Sequence, residues 1–362
     1  MLGHTENLTS DLLPLVTQDV YDARVSIAEE TSPVWSSDEL GDDFRQLAIP
    51  LGDDPDGEGE IFATLVKHDP PRAAGAARGA VLHLHGYNDY FFQRELAEHC
   101  AARGLRFYAL DLRKCGRSRR DWLTPHASSD FAQYDEDLRA ALAVIREELG
   151  EVPLFVHGHS TGGLIAPLSV ARLRLDPSCD VSRMVRGLVL NSPFVELPTP
   201  APVRFVAKGL AATLGRIAPA AALPQSELAA YGESIHKNYR GEWDYNLQRK
   251  PLLGPPLRLG WLLAVVNAQR ELRNSANIAV PALVLHSDRS YLAGSDPERT
   301  DTADAVLQVA HIKRWAGRAG PLATAAEIAG ARHDVFLSRL EARTRAYTAL
   351  DEWLESFEQT PV

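Results

Sequence analysis

The residues best suited to chemistry lie at 156–163, Val-His-Gly-His-Ser-Thr-Gly-Gly. They contain Gly-x-Ser-x-Gly, with His159 and Thr161 at the variable positions. A serine hydroxyl is a weak nucleophile until a base takes its proton and an anion orients the base. A short apolar run, Val152–Val156, precedes the motif, and the apolar segment Leu164–Leu173 follows it. That is the strand–turn–helix setting that lifts a serine to a sheet edge. Gly158 and Gly162 leave room where backbones crowd, and the helix points its free N–H groups at Ser160. A glycine-rich helix start also binds phosphate. No P-loop lysine and no Gly-x-Gly-x-x-Gly accompanies this one, so the nucleophile reading ranks above it. Cys115 competes on paper and is read as a small structural residue in the turn after a strand.

Acyl transfer needs two N–H donors aimed at the tetrahedral oxygen. Thr161, next to the nucleophile, is one candidate. Leu84-His85-Gly86-Tyr87-Asn88, where a strand ends and the chain turns, provides the other through the Tyr87 amide. Of the twelve histidines, His333 stands out as the base. It follows the last predicted strand, in the chain order nucleophile first and base last. Two acids compete for its other nitrogen. Asp304 precedes a predicted helix in Asp-Ala-Val-Leu and is preferred. Asp288, directly after the strand Ala282–Leu285, is the runner-up, ahead of Asp301 and Asp296. His83, His85, His157 and His159 also raise the question of a metal. No carboxylate or cysteine follows at a ligand spacing, so the expectation is no metal, with these rings packing around strand ends.

The elements that must position these groups alternate along the chain. Strands are predicted at Ala80–Leu84, Arg106–Leu110, Val152–Val156, Val185–Leu190, Ala282–Leu285 and Leu322–Ile328. Helices are predicted at Phe92–Arg103, Asp130–Leu149, Leu164–Leu173, Ala310–Ala316 and Leu340–Phe357. The clearest helix repeats Phe131, Tyr134, Leu138, Leu142, Ile145 and Leu149 at steps of three and four, with Ser129 or Asp130 as cap and Gly150 as stop. Apolar strands separated by helices imply a mostly parallel sheet covered on both faces. Gly52–Glu60 and Pro70–Gly79 read as exposed loops beside strand-like runs. The alternation breaks between Val195 and Ala276, which reads as a largely helical insertion above the carboxyl ends of the strands, where ligands bind in open α/β sheets. The division expected is 1–59, an extension with the first sheet elements; 60–194, the first part of the core; 195–276, the insertion; and 277–362, the rest of the core.

The 362 residues carry a net charge of −10, with 45% hydrophobic and 24% charged residues. This excludes wholesale disorder and disfavours a nucleic-acid partner, because an acidic chain repels phosphate backbones. Three cysteines form no disulfide framework and suggest a reducing compartment. No secretory signal is visible, and the apolar stretch Leu257–Val266 is too short to span a bilayer. The expectation is a soluble cytoplasmic protein. The oligomeric state is not legible.

The ordered set resembles an α/β-hydrolase of the monoacylglycerol lipase and lysophospholipase-like group, also grouped with serine aminopeptidases. The pieces are His85-Gly86, Asp111-Leu112-Arg113 through Gly116-Arg117-Ser118, the Gly158–Gly163 elbow, Asn191-Ser192-Pro193-Phe194 and His333-Asp334, over about residues 60 to 357. The resemblance implies an eight-stranded, mostly parallel sheet, a helical cap over the site, and an acyl-enzyme mechanism with Ser160, Asp304 and His333 as triad. Lys114-Cys115-Gly116 departs from the Gly-His-Gly such proteins often carry. The expected activity is carboxylic-ester hydrolysis on a small-molecule acyl ester, with no cofactor. Phe205, Val206, Leu210, Leu214, Leu262, Leu263 and Val265 suit a fatty-acyl or aromatic ester, although most are expected to form the core of the cap. A peptidase, with Glu227, Glu233 or Glu242 holding a substrate amine, an acyltransferase, and a non-catalytic binding protein are the rivals.

Overall fold

A computed structural model describes residues 34–70, 77–223, 229–274, 279–292 and 296–358. The chain divides into a segment Met1–Trp35 and a body Ser36–Val362; the elements below belong to the body. Among the described residues one sheet has nine strands: β1 (Ser36–Asp38), β2 (Gly41–Asp53), β3 (Glu60–His68), β4 (Gly79–Leu84), β5 (Leu105–Asp111), β6 (Leu154–His159), β7 (Val185–Asn191), β8 (Ala282–Ser287) and β9 (Ala323–Ile328). Their order is β1-β2-β3-β5-β4-β6-β7-β8-β9. The first three join antiparallel, and β5 through β9 pair in parallel. The sheet is mostly parallel, as expected, with one strand more than eight. The additional strand is the three-residue edge β1, too short to leave an apolar pattern in the sequence.

Strands β4, β6 and β8 are buried along their whole length, the mark of a sheet covered on both sides. On one side, α1 (Arg94–Ala102) and α9 (Leu340–Glu358) bury Leu96, Cys100, Ala346, Leu350 and Trp353 against Val81, Phe107, Phe155, Val189 and Leu283 of the strands. Each such aliphatic side chain contributes about 1.5–3 kcal/mol when fully buried. α2 (Tyr134–Leu149) packs on α3 (Gly162–Leu175). Its buried residues Tyr134, Leu138, Leu142 and Ile145 are those the three-and-four spacing singled out. Asp130 caps the preceding 3-10 turn by accepting from Ala132 N, and Gly150 ends α2 at φ 73°.

Between β7 and β8 lie α4 (Ala201–Ile217), α5 (Ala229–Ile235) and α6 (Leu259–Asn274), with only isolated bridges among the described residues. α7 (Pro297–Asp301) and α8 (Val309–Ala316) lie between β8 and β9.

Two expectations need correction. The loop Gly52–Glu60 is not wholly exposed. Asp54 is buried and accepts from Lys114 Nζ at 2.6 Å, with Glu58 at 3.2 Å from the same ammonium. Lys114 is itself buried and sits at φ 60°, so the acidic loop supplies the counter-charge that keeps this side chain in the interior. Nor do the apolar residues of α4 form a core: Phe205 is 82% exposed, and Val206, Leu210 and Leu214 are also open to solvent. Val265 on α6 is fully buried, as expected. Part of the loop Pro70–Gly79, residues 71–76, lies outside the described residues.

Candidate active site

The turn from β6 into α3 is tight. Ser160 takes φ 54° and Thr161 precedes the first helical residue at φ −62°. For a non-glycine residue the left-handed conformation costs roughly 1–2 kcal/mol, and the surroundings hold it in place. Ser160 N donates to Asn191 O at 2.9 Å, and Phe194 N donates to Ser160 O at 3.0 Å. The crowding explains the two glycines. A methyl at 158 would sit 2.4 Å from Gly162 O, and one at 162 would sit 2.3 Å from Leu84 O.

The turn after β4 packs on this elbow. A methyl at Gly86, the residue before Tyr87, would lie 3.1 Å from Ser160 Cβ. Asn88 takes φ 52°.

His333 lies in the loop after β9. Its Nδ1 donates to Asp304 Oδ2 at 3.0 Å. Asp304 Oδ1 accepts from Val306 N at 2.8 Å and Leu307 N at 2.7 Å, so all of this carboxylate's bonding is directed. The His333 ring lies 5.0 Å, centroid to centroid, from that of His159, the residue before Ser160. Ser160, His333 and Asp304 are 8%, 2% and 0% exposed. The runner-up acid is engaged elsewhere: Asp288 accepts from Gly330 N at 2.9 Å and from Arg289. Asp301 pairs with Arg332 and Arg339, and Asp296 caps α7.

Three of the histidines weighed as metal ligands have partners in the fold. His83 and His157, opposite each other in β4 and β6, share a hydrogen bond between their Nδ1 atoms at 2.6 Å. Burial pushes His157 down to about 4 and His83 well below its ordinary value. His85 Nε2 accepts from Leu112 N at 3.1 Å. Among the described residues no group of three His, Cys, Asp or Glu is placed to hold a metal. Cys115 is buried 3.1 Å from His126 Nδ1, and burial pushes its thiol well above the ordinary range, which leaves it a poor nucleophile.

Several groups around the site were not singled out for any role. Asp334 accepts from Asn191 Nδ2 at 2.7 Å and from Gln93 Nε2 at 3.3 Å, and its backbone N donates to Tyr231 OH at 3.1 Å. Tyr231 also turns its ring edge-on to His333, at 5.6 Å. Asp89 accepts from His159 Nδ1 at 3.1 Å and from Lys250 Nζ at 2.8 Å. Burial opposes its ionisation, but Lys250 and His159 outweigh it and hold the carboxyl well below the usual range. Burial likewise opposes charge on His159, and Asp334 with Asp89 raises it regardless. Asn191 and Asp334 fall within segments noted in the sequence. Tyr231 and Lys250 sit in the insertion with no signal of their own.

A strained serine at a strand–helix elbow, on a mostly parallel sheet with an insertion after β7, defines an α/β-hydrolase. The chain belongs to the serine aminopeptidase S33 family, whose model matches residues 75–338. It is 27% identical over 244 residues to the monoacylglycerol lipase of Mycolicibacterium smegmatis, covering 66% of this chain and 80% of that one. It is 24% identical over 219 residues to the monoglyceride lipase homolog of Monkeypox virus, covering 60% and 70%. In fold it is similar to a soluble variant of monoglyceride lipase from Saccharomyces cerevisiae, at a TM-score of 0.61 and 16% identity over 91% of this chain and 96% of that one. A carboxyl esterase from Bacillus coagulans gives 0.57 at 15% identity, over 87% and 99%. Among the described residues no helix is long and apolar enough to cross a membrane.

Proposed function

We propose that this hydrolase cleaves carboxylic esters of the monoacylglycerol or lysophospholipid kind through an acyl-enzyme. Ser160 attacks the ester carbonyl while His333 takes its proton. Asp304 holds the imidazole tautomer and stabilises the imidazolium. The amides of Tyr87 and Thr161 receive the developing oxyanion. His333 then protonates the leaving alcohol and activates water for deacylation. The observation that carries this reading is the Asp304–His333 bond set against the residue preceding a left-handed Ser160.

The rest of the reading follows from the insertion. Residues 195–276 act as a cap between core segments 60–194 and 277–362, with 1–59 bringing the first sheet elements. An exposed apolar stripe on α4, Val203, Val206, Leu210, Leu214 and Ile217, supports a lipid-like acyl group. Esters are favoured over amino-terminal peptides because the cap carboxylates are already paired: Glu242 with Arg339 and Arg343, Glu233 with Arg240. Glu227 lies outside the described residues. The three buried free cysteines support a cytoplasmic setting.

A panel of p-nitrophenyl and glycerol esters of graded acyl length, run on wild type and Ser160→Ala beside amino-acyl arylamides, tests the assignment. The expected result is ester turnover, labelling of Ser160 by a fluorophosphonate, and loss of both in the variant. Full esterase activity in Ser160→Ala, or arylamides preferred over esters, overturns it.

A further inference from the structure

The turn that follows β4 is tied to the cap segment 250–255 at three consecutive residues. Tyr87 OH donates to Pro255 O at 3.1 Å, Asn88 Nδ2 donates to Pro251 O at 2.8 Å, and Asp89 Oδ1 accepts from Lys250 Nζ at 2.8 Å. The same ammonium reaches Asn88 O at 3.4 Å. Asn88 holds a positive φ, a conformation that persists only where the surroundings over-determine it. Asp89 Oδ2 meanwhile accepts from His159 Nδ1 at 3.1 Å and from Gly86 N at 3.5 Å. One buried carboxylate therefore joins the cap, the turn and the residue before the nucleophile. Lys250 is buried too, its ammonium 5.7 Å from the Phe92 ring centre and 5.9 Å from that of Tyr245.

We propose that the Lys250–Asp89 ion pair is a latch by which the cap holds the Gly86–Asn88 turn in the position that aims the Tyr87 amide at the reacting oxygen. The proposal rests on the serine-hydrolase reading above. Lys250 touches no reacting atom and is a positioning residue. Its worth lies in geometry: apolar residues of similar volume in place of both partners of a buried ion pair often cost little stability, but they leave no carboxylate on which Gly86 and His159 can converge. Transition-state contacts that drift by about 1 Å cost roughly 100-fold in rate.

The test compares Lys250→Met and Lys250→Arg with wild type, counting competent sites by fluorophosphonate titration so that rates are per folded site. Per site, Lys250→Met is expected to lose about 10- to 100-fold in kcat with KM within about threefold. Its affinity for an alkyl trifluoromethyl ketone, whose adduct carries an oxyanion, falls in parallel. Lys250→Arg recovers most of both. Asp89→Asn combined with Lys250→Met loses less than the two single losses multiplied. Where Lys250→Met yields no titratable sites, the double variant Lys250→Met, Asp89→Asn serves instead, since it removes the pair without leaving one partner's charge buried and unpaired. The latch is overturned if the titrated variant retains wild-type kcat and ketone affinity per site, so that it has lost only folded sites. A wild type that neither labels nor hydrolyses esters sinks the serine-hydrolase reading instead.

Discussion

Gly162 offers the sharpest perturbation of the elbow. A methyl group there would lie 2.3 Å from Leu84 O and 2.7 Å from His85 O, whereas carbon atoms in such positions keep at least 3.0 Å. Both obstacles are backbone, so no rotamer change relieves the contact. Either the end of β4 or the first turn of α3 must withdraw by about 0.7–1 Å, and overpacking of this kind costs about 1–3 kcal/mol. The displaced carbonyls directly precede the turn that carries Tyr87, and the displaced helix start carries Thr161. A shift of about 1 Å in these donors is worth roughly 100-fold in kcat. Gly162→Ala is therefore expected to unfold at lower urea and to lose about 100-fold in kcat per titrated site, with little change in KM. Gly209→Ala in α4 is the stability control. Nothing lies within 4 Å of its methyl, and alanine should stabilise that helix by up to about 1 kcal/mol. Wild-type stability and kcat in Gly162→Ala would refute the argument that the elbow and the turn are pressed together.

Three further expectations follow from the same geometry. Ser160→Gly should be inactive yet more stable than Ser160→Ala by about 1 kcal/mol, because only glycine adopts φ 54° without strain; urea unfolding of the pair checks this, and a less stable glycine variant contradicts it. Asp304→Asn should lose about 10⁴-fold in kcat by favouring the wrong imidazole tautomer, while Asp288→Asn should stay within about threefold; steady-state kinetics in the opposite order would reassign the acid. Burial holds His157 near 4 against 6.5 for a free imidazole, so between those values the unfolded chain binds a proton that the native state does not. Stability should then fall as pH drops from about 6.5 to about 4, by roughly 3 kcal/mol for this group. In His157→Asn, whose amide reaches the place of Nδ1, the difference between urea midpoints at pH 7 and pH 4.5 should shrink, and an unchanged difference would show that another group sets the slope.

What was legible in the sequence is local. Ser160 announced itself through two glycines placed either side of it, although what crowds Gly162 is the end of β4, far off in the chain, and α2 through a repeat that maps directly onto its buried face. His333 and Asp304 were legible through their order after strands, since a parallel sheet brings successive strand ends to one edge. Asp304 differs from Asp288 only in where the chain travels after β8: Tyr291 N donates to Asp304 O, and Asp304 N donates to Arg289 O. Those two bonds fold the intervening residues back and present the later carboxylate. The antiparallel edge was harder to read. β1 is three residues long, and its fixed point is Asp38, paired with the buried Arg117 seventy-nine positions away. The faces of α4 were misjudged because an apolar stripe at helical spacing reads the same whether it meets a core or solvent.

The groups that escaped notice share one physical property: each acquires its role only as part of a charge balance. Asp89 in a loop, Lys250 in a proline-rich stretch and Asp334 beside a histidine are each unremarkable as single residues. Brought into the interior together, none can stand alone, because an uncompensated buried ion is far costlier than a paired one. Asp89 and Asp334 both raise the affinity of His159 for a proton. With His159 protonated, two carboxylates, one ammonium and one imidazolium cancel. The His333 ring lies tilted against that of His159, 5.0 Å away, and has Asp304 as its bonded carboxylate, so the balanced cluster sits directly beside it. The insertion completes the balance by supplying Lys250, which ties the electrostatics of the site to how that segment is seated.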